Sequence, residues 1–167
     1  MKSGVRVTKD NTAQVFATIA MIGKRHVVVG IPESENQRDR GADGEYLDPI
    51  GNAGLYYLND QGSAANNTPQ RETLRPGVED VKDQCAEVLG QAAAAAFSDS
   101  TALERGLEAA GLIAETGVKK RIVASENLEP LAPSTIADRK RHGIQSEKPL
   151  IRSGEMLESI THEVRDR

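Results

Sequence analysis

The stretch Lys148-Pro149-Leu150-Ile151-Arg152-Ser153-Gly154-Glu155-Met156-Leu157-Glu158-Ser159-Ile160-Thr161-His162-Glu163-Val164 decides the fold. Pro149 fixes its own φ and biases Lys148 toward extended backbone, so the chain enters stretched. Ser153-Gly154 punctuates it, with Ser153 a candidate cap for a single helical turn through Met156 and Leu157. Beyond the turn, Ile160, His162 and Val164 fall on one side and Ser159, Thr161 and Glu163 on the other. That period-two alternation predicts a half-buried strand. A strand here needs an earlier partner, and Arg25-His26-Val27-Val28-Val29-Gly30-Ile31 is the only other strongly β segment. Its three consecutive valines predict a strand covered on both faces, and Pro32 stops it. The closing Arg165-Asp166-Arg167 suits an end that stops at a surface.

Working outward, most other elements are helical. Val5 and Val7 alternate with Arg6 and Thr8, which allows a short opening strand. Asn11-Thr12 offers a cap for a helix whose apolar face is Val15, Phe16, Ile19 and Ile22, ended by Gly23. Asp48 or Pro49 starts a short helix with Ile50, Ala53, Tyr57 and Leu58 roughly on one side. Residues 69–76 read as extended, bracketed by Pro69 and Pro76. Two long helices follow. Val78, Val81, Cys85, Val88, Leu89 and Ala92 stripe the first, and the run Ala92–Ala96 removes bulk so that another backbone can approach. Ser98-Asp99-Ser100 caps the second, whose seam is Leu103, Leu107, Ala110, Ala114 and Val118, extended toward Ser125 by Ile113, Ile122 and Val123. The pair packs as an antiparallel hairpin covering the sheet, which predicts an α+β fold with long loop or arm regions.

One domain spans 1–167 in this reading, with a C-terminal motif segment at 131–167 and a polar, mobile loop or arm at about 32–47, either a plain surface loop or an arm that orders against a neighbouring subunit. The arm is charged and nearly free of apolar side chains, so burial cannot offset its ordering entropy. From Ser125 to Lys148 the chain is linker-like, apart from a short helix in Pro133–His142 whose basic end suits helix C-terminal carbonyls.

Aromatics are only 3% of the chain and Trp is absent, so Val, Ile, Leu and Ala must build the core. That is lean for 167 residues and predicts surface left unpacked in the monomer. The net charge of -4 argues against a protein that coats nucleic acid. One Cys excludes an intrachain disulfide and fits a reducing compartment. No window approaches a membrane span and no apolar leader opens the chain, so synthesis and assembly in the cytoplasm are expected.

Catalytic signals are few. His26, His142 and His162 lack metal-ligand spacing and read as ordinary strand and surface histidines. Cys85 lies on an apolar helical stripe and reads as a small buried hydrophobe. There is no phosphate loop, GxGxxG or GxSxG. Glu126 with Glu129 and Asp80 with Asp83 have the i,i+3 spacing that solvated helix faces produce routinely. Arg139-Lys140-Arg141-His142 is the one basic run and the one plausible nucleic-acid feature; without interleaved aromatics it reads as a capped, solvated helix end or a subunit salt-bridge site, with contact to DNA passing nearby as the alternative. No catalytic residue, metal or cofactor is expected.

Several segments together resemble a known group. Leu131-Ala132-Pro133-Ser134-Thr135-Ile136-Ala137-Asp138-Arg139-Lys140, followed by the Lys148–Ile160 stretch, is similar to the C-terminal pattern of tailed-phage virion-morphogenesis and tail-completion proteins. Those carry Leu-Ser-Pro-x-Thr … Lys and then Pro-Leu … Thr-Gly-x-Leu-x-x-Ser-Ile. Here Ala132, Ser153 and Met156 replace the usual Ser, Thr and Leu. His26–Ile31 resembles the family's valine-rich strand, Tyr57-Leu58-Asn59-Asp60-Gln61-Gly62 its Asn-Glu-x-Gly segment, and Thr68-Pro69-Gln70-Arg71 its Ile-Pro-x-Arg segment. Glu72 and Leu74 depart from the Pro and aromatic that follow there.

The resemblance implies a small α+β subunit with an antiparallel sheet, a helical layer on one face and loops that reach its neighbours. It implies a virion protein of the neck or collar, or alternatively a tail terminator or head-completion protein. Such a ring, six subunits favoured and twelve the alternative, joins portal or head-completion proteins to the tail tube and lets DNA pass with at most non-specific contact. A nucleic-acid-binding regulator or small enzyme is the reading from a different class. Interface candidates under the resemblance are Arg40, Tyr46, Tyr56, Arg71, Arg75, Arg139, Lys140, Ile151, Ile160 and Val164.

Overall fold

The computed structural model describes residues 10–37 and 50–167. Among these, seven α-helices surround a two-stranded antiparallel sheet, the α+β arrangement expected. In chain order they are α1 (Thr12–Lys24), β1 (Arg25–Gly30), a 3-10 turn (Glu33–Glu35), α2 (Gly51–Gln61), α3 (Leu74–Glu79), α4 (Lys82–Ala95), α5 (Ala102–Ala124), α6 (Pro133–Arg141), α7 (Glu155–Glu158) and β2 (Thr161–Asp166). The opening strand at Val5–Val7 and the Asp48–Pro49 helix start lie outside the described residues.

β2 pairs with β1 from Arg25↔Asp166 to Gly30↔Thr161, so the C-terminal strand meets the partner chosen for it. Val27 sits opposite Val164, and Val29 opposite His162. Val27 and Val29 point into the molecule, whereas Val28 is 37% exposed. The expectation that β1 is covered on both faces is therefore wrong. With only two strands, the sheet has one helical layer and an open back, so a continuous valine run does not imply burial on both sides.

α5 is the centre. Its 23 residues extend for about 35 Å at 1.5 Å per residue. Leu103, Leu107, Ala110, Ala114, Val118 and Ile122 are all buried on it, the seam read from spacing plus one further turn. The α4–α5 hairpin also forms as expected. Gly106 lets the helices close, because a Cβ there would overlap that of Ala92, the first residue of the alanine run. Gly111 likewise leaves room for the ring of His162 on β2. Two apolar clusters result. One joins Tyr56, Val118, Ile122, Met156 and Ile160; the other joins Ala96, Leu103 and Leu107, with Met21, Ile22, Val27 and Val164 packed against it.

Four further expectations are corrected. The 69–76 segment is not extended throughout, because α3 begins at Leu74 and Pro76 lies inside its first turn. A proline costs little there, since the first N–H groups of a helix lack intrahelical partners. Asp60 Oδ1 satisfies the helix end by accepting from Thr73 N and Leu74 N at 2.7 and 3.1 Å. The stripe Val78–Ala92 is split at Asp80–Val81 into α3 and α4 rather than running as one helix. Gly23 does not end α1, which runs through Lys24 and passes straight into β1.

The inward face of α2 is Asn52, Tyr56 and Asp60, not Ile50, Ala53, Tyr57 and Leu58. Two of those three are polar, which hides the face from a hydrophobic pattern. Asn52, fully buried, donates to Ser159 Oγ and to the carbonyls of Glu35 and Gln37. Asn36 Oδ1 accepts from Ala53 N at 2.8 Å. The first residues of the expected mobile arm, 33–37, are therefore anchored, and the remainder lies outside the described residues.

Candidate functional site: an arginine-lined cleft

Four of the segments that carry the resemblance converge on one cleft. It has a volume of about 930 Å³ and lies between the end of α2, the 63–71 loop, residues 129–135 and residues 150–156. Each wall has a local cause. Ser63 and Thr68 bridge across a turn, which brings Pro69 and Arg71 back beside α2. Arg71 N then donates to Asn59 O at 2.8 Å. Pro133 opens α6, where its fixed φ suits the first turn, and so places Thr135 and Arg139 on the facing wall. Gly154 takes a left-handed φ of 96° and starts α7, which turns Arg152 and Ser153 toward the opening.

Three guanidinium groups line this cleft. Arg71 is only 6% exposed, yet it has no carboxylate ion pair among the described residues. Its Nε and Nη2 donate to the backbone carbonyls of Glu129 and Pro130 at 2.7 and 3.1 Å. Arg139 Nη1 donates to three carbonyls, those of Ser146, Lys148 and Ile151, at 2.9, 2.9 and 3.0 Å. These bonds tie the two halves of the C-terminal motif together. Arg152 is exposed and has no hydrogen-bond or ion-pair partner among the described residues.

Burial lowers the pKa of Arg139, and the neighbouring charges of Arg152 and Arg71 lower it further. Burial lowers Arg71 too, partly offset by Glu129, the only carboxylate in the lining among the described residues. Guanidiniums remain charged through such shifts, so the cleft carries three positive charges against one negative. The remaining lining is mixed, with Leu55, Leu131, Leu150 and Met156 beside Asn59, Asn66, Asn67 and Thr135. Such a surface can grip an anionic group with bidentate donors and bury apolar atoms next to it.

The expected interface residues do not form one surface. Arg40 and Tyr46 lie outside the described residues. Tyr56 and Ile160 are buried in the first apolar cluster, and the Tyr56 hydroxyl meets Thr73 Oγ1 at 2.8 Å. Arg71 is buried as well and lines the cleft. Ile151 and Val164 are half-buried against the two clusters. Arg75 and Lys140 are exposed and pair with Glu72 and Glu147. Tyr56, Ile151 and Ile160 meet in the first apolar cluster, and Arg71 and Arg139 meet in the cleft. Arg152 is the site residue missed by sequence reading. Its signal was a lone cation between an apolar pair and a Ser-Gly turn.

A second polar cluster lies on the sheet side of α5. His162 Nδ1 is 2.7 Å from Glu115 Oε2, and its Nε2 is 3.2 Å from Glu108 Oε2. Glu115 also pairs with Lys119 at 2.7 Å. Burial pushes the Glu115 carboxyl up, but Lys119 and His162 outweigh it and hold its pKa below the usual value. No group of three or more His, Cys, Asp or Glu suited to a metal occurs among the described residues. Burial raises the Cys85 thiol, and no helix among the described residues is long and apolar enough to cross a membrane. No family model matches this chain, and no curated protein or solved structure matches it either.

Proposed function

We propose that this chain is a structural subunit that assembles with copies of itself into a ring of the phage neck or tail-completion kind, joining the head connector to the tail. One observation carries this reading. α1 presents Phe16, Ile19 and Val15 to solvent at 66%, 52% and 40% exposure, while Thr18 is buried and Met21 and Ile22 pack against the second apolar cluster. An amphipathic helix whose apolar stripe faces outward needs a partner that the described residues do not supply. A self-assembling subunit has one in its neighbour. The acidic balance of the chain suits a channel through which DNA slides without adhering.

The test is the mass of the purified protein, by mass photometry and negative-stain imaging, alone and with tail or head fractions. A closed ring that caps one of these particles is expected. Replacing Phe16→Glu together with Ile19→Lys should leave folded monomers that no longer assemble. A chain that is monomeric at every concentration, and ignores both particles, sinks the proposal.

A further inference from the structure

We infer that the Arg71–Arg139–Arg152 cleft is a docking site for an acidic peptide segment of a partner protein, gripped through its carboxylates. This goes beyond the self-assembly reading and is independent of it, since no residue of α1 lines the cleft.

The argument starts from charge. Removing guanidinium charge from water is costly unless a counter-charge or hydrogen bonds replace the water. Arg71 and Arg139 are held by neutral carbonyls, which fix their geometry without cancelling their charge. Arg152 stands free at the rim. Three cations less Glu129 leaves two positive charges uncompensated, in a chain whose net charge is -4. An incoming anion supplies the missing counter-charge, and fixed guanidiniums bind it without further ordering cost.

Shape and lining then choose among anions. At about 930 Å³ the cleft is far larger than a phosphate ion and lies in the range of sites that enclose extended ligands. Leu55, Leu131, Leu150 and Met156 offer burial to apolar side chains that alternate with acidic ones. Asn59, Asn66 and Asn67 offer amides to a peptide backbone. Single-stranded nucleic acid is the poorer fit, because its bases require aromatic platforms and no aromatic residue lines the cleft among the described residues. Duplex DNA carries its charge on a surface too broad to enter a cleft between loops.

The experiment is fluorescence anisotropy on the full chain with a labelled peptide of alternating glutamate and leucine. The comparison probes are the same peptide with glutamine for glutamate, a short single-stranded oligonucleotide, a duplex, and inorganic phosphate as competitor. Salt-sensitive binding of the acidic peptide is expected, at least about tenfold tighter than that of the glutamine peptide. Arg152→Glu should weaken it by about tenfold or more. Because Arg152 is exposed and unpartnered among the described residues, thermal unfolding of that variant should be unchanged, which separates lost binding from lost folding. Phe16→Glu with Ile19→Lys should bind the peptide normally even when assembly is lost. Equal binding of the two peptides, or an Arg152→Glu variant that binds as tightly as the parent, overturns the inference. Displacement of the peptide by phosphate at comparable concentration, or tighter binding of either nucleic acid, overturns it in favour of a phosphate site.

Discussion

α1 and α5 have the same sequence signature and opposite fates. Both show apolar residues at helical spacing, Val15, Phe16, Ile19 and Ile22 on one and Leu103 through Val118 on the other. On α5 every seam residue is buried, with Val118 and Ile122 fully enclosed. On α1 the middle of the stripe faces solvent, and the buried residue of the helix is Thr18, whose hydroxyl turns back to the Gln14 carbonyl. Periodicity states that a face favours burial; it does not state which chain provides the cover. The difference lies in neighbours. α5 has the glycines Gly106 and Gly111 that let α4 and β2 close upon it, whereas α1 runs straight into β1 and buries Thr18 alone along its length, with Met21 and Ile22 half-buried.

The comparison breaks most visibly in the core. Ile122→Ala should cost about 2–5 kcal/mol, because the side chain is fully enclosed and α5 cannot collapse around the cavity. For a domain of this size that lowers the melting temperature by about 2–4 °C per kcal/mol, read by differential scanning calorimetry. A loss below about 1 kcal/mol would show that α5 is not the organising element.

That hierarchy was largely legible. The β1–β2 pairing followed from alternation and from a shortage of rival strands. The hairpin followed from two stripes and an alanine run. The miss at α2 has a physical cause: Asn52 and Asp60 face inward because they satisfy backbone groups of other segments, Asn52 the Glu35 and Gln37 carbonyls and Asp60 the start of α3. No hydrophobic pattern marks a residue buried for its hydrogen bonds. The cleft was half legible for the same reason. Arg71 and Arg139 drew attention as cations, but the chain gives no sign that both would be held by carbonyls of distant loops. Arg152 was visible only as one letter of a motif.

A smaller effect is expected where β2 meets α5. The pKa of Glu115 is lower in the folded protein than in the unfolded chain, so its contribution is fully present above the unfolded value near 4.5. It is lost as pH falls through the lower folded value. Glu115→Gln should cost about 1–2 kcal/mol at neutral pH. It should also flatten the fall in melting temperature as the pH drops below about 4.5. A variant whose acid profile overlays that of the parent would remove Glu115 as the cause.

The smallest effect on the monomer is expected at the residue that looks most hydrophobic. Phe16→Glu, measured by urea unfolding at a concentration where the chain is dispersed, should change stability by no more than about 0.5 kcal/mol. The ring is already in water in the folded monomer, at 66% exposure, so replacing it removes little burial. The same change at Leu107, at the matching point of the α5 stripe, places a charge in the second apolar cluster and should prevent folding. If Phe16→Glu instead destabilises the isolated chain by more than about 2 kcal/mol, the stripe on α1 is covered from within, and the contrast between the two helices disappears. If stability holds while assembly fails, the open stripe is the part of the fold completed by another copy.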